Sequence, residues 1–327
     1  MSKQRLVSGI QPTGQMHLGN YLGAIQNWVE LQDTYDSFFM IVDLHALTTV
    51  YEDPKQLRID KLNLAIDLLA AGVDPKKACL FYQSDVRAHS ELHLILSMMT
   101  PLPWLERVPS YKGKITEMAD KDLNTYGFLG YPLLQAADIM LYEGDVVPVG
   151  KDQLPHLELT REVIRRFNHF YKSSFPEPED RLTSFATLLG VDGRKMSKSY
   201  NNTIPISLSE SDMTKRLMGM MTDPARVRRT DPGNPDVCPV YNYHQIYTDK
   251  KRCQEIDSGC RSAELGCVVC KQECAGTIVA SLSDFRERRA YYETHLSEVN
   301  TMLKEGAIRA NEVAENTMGR VRELVGL

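Results

Sequence analysis

Up to about residue 150, short apolar runs alternate with longer segments whose apolar positions recur every three to four residues. Arg5-Leu6-Val7-Ser8 reads as a short strand that Gly9 ends. From Tyr21 to Leu31, the residues Leu22, Ile25, Trp28 and Val29 fall on one helical face. Ser37 to Val42 holds Phe38-Phe39-Met40-Ile41, an unbroken apolar run of strand length. Leu57 to Ala71 is a second helix, stopped by Gly72 and then Pro75. Ala78 to Tyr82 is a third apolar run. This alternation predicts an α/β fold with a doubly wound, Rossmann-like parallel sheet. Such sheets bind ligands beyond the carboxyl ends of their strands. The site is therefore expected in the loops after Val7, after Val42 and near Val149.

The spacing changes after about residue 200. Ser207 to Met221, Ala275 to Tyr292 and Gly306 to Val325 read as helices, the last with Ala310, Val313, Ala314, Thr317, Val321 and Leu324 in one stripe. Thr222 to Pro239 is rich in Asp, Pro and Arg and reads as irregular. The polar run Ser197 to Asn202 marks the expected boundary. It separates a catalytic domain, 1–200, from a smaller all-helical domain, 201–327, whose last helix is free to pack back on the first.

Composition adds limits. With 327 residues, 43% hydrophobic and 25% charged, the chain has ample apolar material for a core and is not a disordered one. A net charge of −5 gives no global basic field, though it leaves room for a local basic patch. No apolar run suits a signal peptide or a membrane span, so a cytoplasmic, reducing setting is expected. That setting changes the meaning of the seven cysteines: Cys79 stands alone in an apolar run, and the other six crowd between Cys238 and Cys274. Reduced, clustered thiols suit metal binding better than disulfides.

Four regions carry candidate chemistry. Gln11-Pro12-Thr13-Gly14-Gln15-Met16-His17-Leu18-Gly19-Asn20 follows the first strand and opens the first helix. A helix N-terminus suits phosphate, Gly19 allows close approach of a nucleotide, and His17 can donate to a phosphate oxygen. The ordinary alternative is a plain loop-to-helix junction. Lys195-Met196-Ser197-Lys198-Ser199 holds two mobile cations suited to a polyphosphate; alone it also reads as a solvated basic loop. Asp138 lies in the apolar helical stretch Tyr131 to Ile139, a surface acid or a buried acceptor for a substrate donor. Tyr131, Gln135, Val147 and Val149 are candidate liners of a pocket for such a donor. His45 follows the second strand, where a structural role competes with a site role. Cys238, Cys260, Cys267 and Cys270, spaced Cys-x21-Cys-x6-Cys-x2-Cys, suit zinc or a [4Fe–4S] cluster, and spacing alone leans to zinc. Cys253 and Cys274 read as free thiols and Cys79 as core. Arg226, Arg228 and Arg229 with Tyr241 and Tyr243 suit unstacked RNA bases, or a solvated loop. Arg107, Lys112 and Lys114 are phosphate contacts or solvated charges.

His17-Leu18-Gly19-Asn20 resembles the first signature of class I aminoacyl-tRNA synthetases, and Lys195-Met196-Ser197-Lys198-Ser199 matches their second at every position. Asn20, where the signature commonly ends in His, resembles the tryptophanyl branch, as does Gly19-Asn20-Tyr21-Leu22-Gly23-Ala24. The resemblance covers essentially the whole chain. It implies that L-tryptophan and ATP, with Mg2+, give tryptophanyl-adenylate, which is then transferred to tRNA(Trp) by a homodimer. It assigns catalysis to His17, Lys195 and Lys198, and ATP binding to Gln11, Pro12, Thr13, Gly19, Asn20, Gly150, Lys151, Asp152, Met196, Ser197 and Ser199 as well as both lysines. Asp138 becomes the indole ligand and Gln153 the ammonium contact, with His45 beside them; Gln135 stands where the family often has Met. The cysteine spacing resembles, within one residue, a subgroup with a [4Fe–4S] cluster in the anticodon-binding domain, which tips the metal from zinc to iron–sulfur. The alternatives are a tyrosyl-tRNA synthetase and a non-catalytic iron–sulfur RNA-binding regulator on the same scaffold.

Overall fold

A computed structural model describes residues 3–109, 111, 113, 122–182 and 188–327. Among them, strands β1 (Arg5–Ile10), β2 (Asp36–Ile41), β3 (Ala78–Tyr82), β4 (Val146–Val149) and β5 (Glu179–Leu182) form one parallel sheet in the order β3-β2-β1-β4-β5. The principal helices are α1 (Gln26–Leu31), α2 (Asp43–Val50), α3 (Lys55–Ala71), α4 (Ala88–Ser97), α5 (Tyr131–Leu141) and α6 (Leu154–Tyr171). They continue with α7 (Glu210–Met218), α8 (Pro239–Tyr247), α9 (Lys250–Arg261), α10 (Cys267–Ser281), α11 (Ser283–Thr294) and α12 (Leu296–Val325). The chain forms two compact units: Met1–Thr13, Ala24–Ser184 and Tyr292–Leu327 in one, Gly14–Gly23 and Phe185–Tyr291 in the other. The first holds the sheet; the second holds both signature segments and the six clustered cysteines.

The apolar runs become the central strands because both faces of a parallel sheet are covered. Phe38 through Ile41 of β2 are all buried. Strand β1 does not stop at Gly9 but runs on to Ile10, in register with Ile41. A Cβ at Gly9 would lie 2.7 Å from Val42 Cγ1, so this glycine admits a neighbour rather than ending the strand. Strand β5 went unread because Glu-Asp-Arg-Leu has no apolar alternation; it is exposed throughout, as suits an edge. The helix expected over 21–31 is a π-helical turn, Tyr21–Ile25, followed by α1. Helix α3 ends as read, on Gly72 at φ 109°. The single helix expected over 275–292 is two, α10 and α11, with the fully buried Leu282 at the break. No described helix is long and apolar enough to cross a membrane.

In the first unit, α12 begins at Leu296 rather than Gly306 and lies on the edge strand β3. Its stripe of Ala310, Ala314, Met318 and Val321 joins Val7, Phe38, Phe81 and Leu157 in one core. Contact is closest at Gly306, where a Cβ would come within 2.1 Å of the Leu80 carbonyl oxygen. Arg309 Nη2 donates to the carbonyls of Pro75 at 2.6 Å and Ala78 at 2.9 Å. Gly306→Ala is therefore expected to destabilise the protein by about 3 kcal/mol in thermal or denaturant unfolding, through overpacking against backbone that cannot retreat. Gly319→Ala, on the same helix with nothing within 4 Å of the added methyl, should stabilise by about 0.5–1 kcal/mol. Equal effects would contradict this packing.

Candidate active site

The first unit buries an acidic side chain in an otherwise apolar helix. Asp138, on α5, is 3% exposed. Its carboxylate accepts from Gln83 Nε2 at 2.7 and 2.9 Å, from His89 Nδ1 at 2.7 Å, and from His45 Nε2 at 2.9 Å. His45 lies just past β2, Gln83 directly follows β3, and His89 opens α4. The group thus sits at the carboxyl ends of β2 and β3, where a doubly wound sheet places ligands. Burial alone would raise the Asp138 carboxyl, but hydrogen bonds from His45 and His89 overcome it and hold the group well below the usual carboxylate range. An unpaired buried carboxylate does not describe Asp138. Its hydrogen bonds persist without substrate, so a missing substrate donor costs less than full desolvation.

Other expected residues of this unit surround the strand ends. Val147 and Val149 are buried on β4. Tyr131 is buried, its hydroxyl 3.0 Å from His156 Nε2. Gln135 is half-buried, one turn before Asp138 on α5. Gly150 follows β4, and a Cβ there would meet Asp152 Oδ1 at 2.7 Å. Lys151 and Asp152 are exposed, and the Gln153 amide donates to Asp152 at 3.0 Å. Gln11, Pro12 and Thr13 follow β1, tied by a turn from the Thr13 N–H to the Gln11 carbonyl at 3.0 Å. Arg107 is exposed and pairs with Glu162 at 3.4 Å; Lys112 and Lys114 lie outside the described residues.

The second unit holds both signatures. His17 caps the helical turn Leu18–Asn20: its Nδ1 accepts from the Asn20 N–H at 3.2 Å, and Asn20 Oδ1 accepts from the His17 N–H at 3.4 Å. Nδ1 is occupied as an acceptor, so the ring hydrogen belongs on Nε2. Burial, with Lys198 adding to it, lowers the His17 imidazole to about 4. At Gly19 a Cβ would crowd the His17 ring at 3.1 Å and Met196 Sδ at 3.5 Å. Backbone bonds from Leu18 to Ile204 (2.9 Å) and from Ile206 to Met16 (3.0 Å) stitch the first signature to the segment after the second. In the second, Lys195 and Lys198 are exposed, Ser197 is half-buried, Met196 is buried, and Lys198 Nζ donates to the Gly14 carbonyl at 3.4 Å. The backbone of Ser199 lies in the turn Lys198–Tyr200.

Sequence reasoning missed four polar residues. Gln83, His89 and Tyr142 surround Asp138, and Tyr142 reaches it only through His89. Asn202, 1% exposed, organises the second signature by accepting from the Ser197 N–H at 2.8 Å and donating to Asp192 at 2.7 Å and the Lys195 carbonyl at 3.1 Å. Its place inside a polar run hid it.

The cysteines Cys238, Cys260, Cys267 and Cys270 are all half-buried. Burial, with Cys238, Cys260 and Cys267 adding to it, pushes the Cys270 thiol up to about 12. No three His, Cys, Asp or Glu side chains among the described residues stand close enough to hold a metal ion. Cys253 and Cys274 are buried free thiols, and Cys79 is core. Arg228 and Arg229 are exposed, but Tyr243 is fully buried with its hydroxyl on the Leu189 carbonyl at 2.6 Å. Tyr243 therefore has no free face for a base, which corrects that expectation.

Residues 1–283 match the family described as tRNA synthetases class I (W and Y), and the chain belongs to the class I aminoacyl-tRNA synthetases. The tryptophan–tRNA ligase of Thermotoga maritima is 45% identical over 99% of both chains, and that of Ralstonia nicotianae 42% identical over 100% of this chain and 99% of its own. The crystal structure of tryptophanyl-tRNA synthetase from Campylobacter jejuni, complexed with ADP and tryptophan, matches with a TM-score of 0.90 at 34% identity, over 99% of this chain and all of that one. Within its class the chain belongs to the tryptophan–tRNA ligases. The tyrosyl and regulator alternatives fall away.

The His17 geometry has a pH consequence. In the ligand-free protein its imidazole should titrate at about 4 by NMR. The unfolded chain takes up this proton between pH 6.5 and 4 while the fold resists it. The stabilisation is complete above pH 6.5 and is lost as pH falls toward 4, a change on the order of 3 kcal/mol. Titration near 6.5 would contradict the buried, capping placement.

Proposed function

We propose how this tryptophan–tRNA ligase divides its chemistry among its residues. The buried charged carboxylate of Asp138 carries the reading: it selects the indole N–H, with His45, Tyr131, Gln135, Val147 and Val149 shaping the pocket and Gln153 meeting the ammonium. The tryptophan carboxylate attacks the α-phosphorus of ATP; a P–O bond forms and the bond to pyrophosphate breaks. A ribose hydroxyl at the tRNA end then attacks the acyl carbon and AMP leaves. Positioning and charge stabilisation dominate such a reaction. His17, through Nε2–H, and the exposed Lys195 and Lys198 stabilise the phosphate charge. Gln11, Pro12, Thr13, Gly19, Asn20, Gly150, Lys151, Asp152 and Ser199 hold the nucleotide, while Met196 and Ser197 let the second signature close over it. Mg2+ supplies neutralisation of the polyphosphate.

Four thiols, with Cys267 and Cys270 one turn apart on α10, are a donor set that fits a shared inorganic group, and the spacing of the four cysteines supports the cluster reading. Cys238, Cys260, Cys267 and Cys270 would hold a [4Fe–4S] cluster in an anticodon-binding helical domain, beside exposed Arg228 and Arg229. The exposed Leu94, Met98 and Leu102 (56%, 76% and 57%) supply an apolar face for a homodimer.

Lys198→Ala should lower tryptophan-dependent ATP–pyrophosphate exchange at least a hundredfold while leaving tryptophan binding intact by calorimetry; unchanged exchange removes the lysine from this role. Protein purified without oxygen should be brown, with about four iron and four sulfide per chain. Colourless protein holding zinc overturns the cluster.

A further inference from the structure

The hydrogen bonds around Asp138 run one residue further than substrate contact requires. His89 Nδ1 lies 2.7 Å from Asp138 Oδ1, and His89 Nε2 lies 2.8 Å from the Tyr142 hydroxyl; His89 and Tyr142 are both fully buried. A carboxylate only accepts, so Nδ1 carries a hydrogen. Nε2 then accepts from the phenol, with a neutral ring, or donates to it as part of an imidazolium. Burial, with Asp138 and Cys79 adding to it, raises the Tyr142 phenol well above its ordinary value, so the hydroxyl keeps its proton. Among the described residues that hydroxyl bonds only to His89 Nε2. Its hydrogen therefore points there, and His89 is the neutral Nδ1–H tautomer. The phenol cannot swing away: its ring stacks on Phe38 (4.6 Å, 21°) and meets Phe81 edge-on (5.9 Å, 65°).

The tautomer decides the charge at the site. A neutral His89 solvates Asp138 without cancelling it, whereas an imidazolium would make a neutral pair and a weaker acceptor. Gln83 donates to both oxygens and carries no charge either. The three side chains that donate to Asp138, His45, His89 and Gln83, commit those N–H groups to the carboxylate. An indole N–H needs nothing more, but a tyrosine hydroxyl would bring lone pairs that none of these three donors can meet. We propose that Tyr142 and His89 are positioning residues for tryptophan selection: the phenol fixes the His89 tautomer, which keeps Asp138 a charged acceptor and keeps the His89 N–H on the carboxylate rather than on a tyrosine hydroxyl. This rests on the reading of Asp138 as the side-chain selector.

Tyr142→Phe removes one oxygen and keeps both ring contacts, so the fold is retained. In ATP–pyrophosphate exchange it should raise the KM for tryptophan about tenfold and lower the tryptophan-to-tyrosine ratio of kcat/KM by a similar factor, with kcat and the KM for ATP within about twofold. Asp138→Asn should lower that ratio further, and adding Tyr142→Phe to it should change nothing more, because the phenol acts only through the carboxylate. If Asp138→Asn alters tryptophan KM but Tyr142→Phe does not, the relay is wrong and the Asp138 reading stands. Additive effects, or equal losses in tryptophan and ATP parameters, overturn the relay as a mere packing effect. If Asp138→Asn leaves tryptophan KM and the ratio unchanged, the Asp138 reading fails and the relay with it. Should Asp138→Asn not fold, the KM split of Tyr142→Phe decides alone.

Discussion

A carboxylate without water must be solvated by protein, and the first unit is arranged around that need at Asp138. The cost of burying an unpartnered charge is several kcal/mol, so helix α5 cannot hold Asp138 inward unless N–H donors meet it. Those donors come from three places: the residue after β3, the start of α4 and the first turn of α2, just past β2. Each is held in place by a sheet whose central strands are buried on both faces. The polar group thus imposes precision on the apolar one. A slip of one residue in the register of β2 on β3 would move His45 or Gln83 out of reach.

The second unit solves a different problem. In the proposed mechanism its exposed lysines follow a polyphosphate, yet must arrive at one place. The polar stitching lies beneath them rather than at their ends. Asn202 holds the backbone on both sides of Met196, and the His17–Asn20 cap fixes the first signature. The Asn20 that departs from the commoner signature has a local use, since its amide oxygen takes the His17 N–H. Rigid backbone with mobile cations suits a group that must hold charge that moves during reaction.

Much of this was legible in the sequence, for physical reasons. The central strands announced themselves because buried parallel strands are unbroken apolar runs, and Gly72 because a left-handed helix end favours glycine. The signatures and Asp138 were legible because charged or flexible residues stood out against apolar or helical surroundings. Strand β5, the break at Leu282 and the π-turn at Tyr21–Ile25 were not, since each depends on what the segment pairs with rather than on its own pattern. Gly9 misled for the same reason: it serves Val42, which is distant in sequence. His89, Gln83 and Tyr142 were hidden because their meaning lies in a partner some fifty residues away or in one another. Tyr243 was misread because an aromatic beside basic residues looks like a base-stacking surface until its burial is known.

The close seat of α12 on β3 has a consequence for how the molecule is made. Strand β3 is the edge of the sheet, and the helix that covers it is encoded after the whole of the second unit. Until α12 has been synthesised, β3 has no helix to cover its apolar flank. An uncovered edge invites pairing with other nascent chains. The first unit therefore completes only when α12 emerges and Gly306 settles against Leu80. A chain cut short before Leu296 would carry both signatures and still lack a closed core in its first unit.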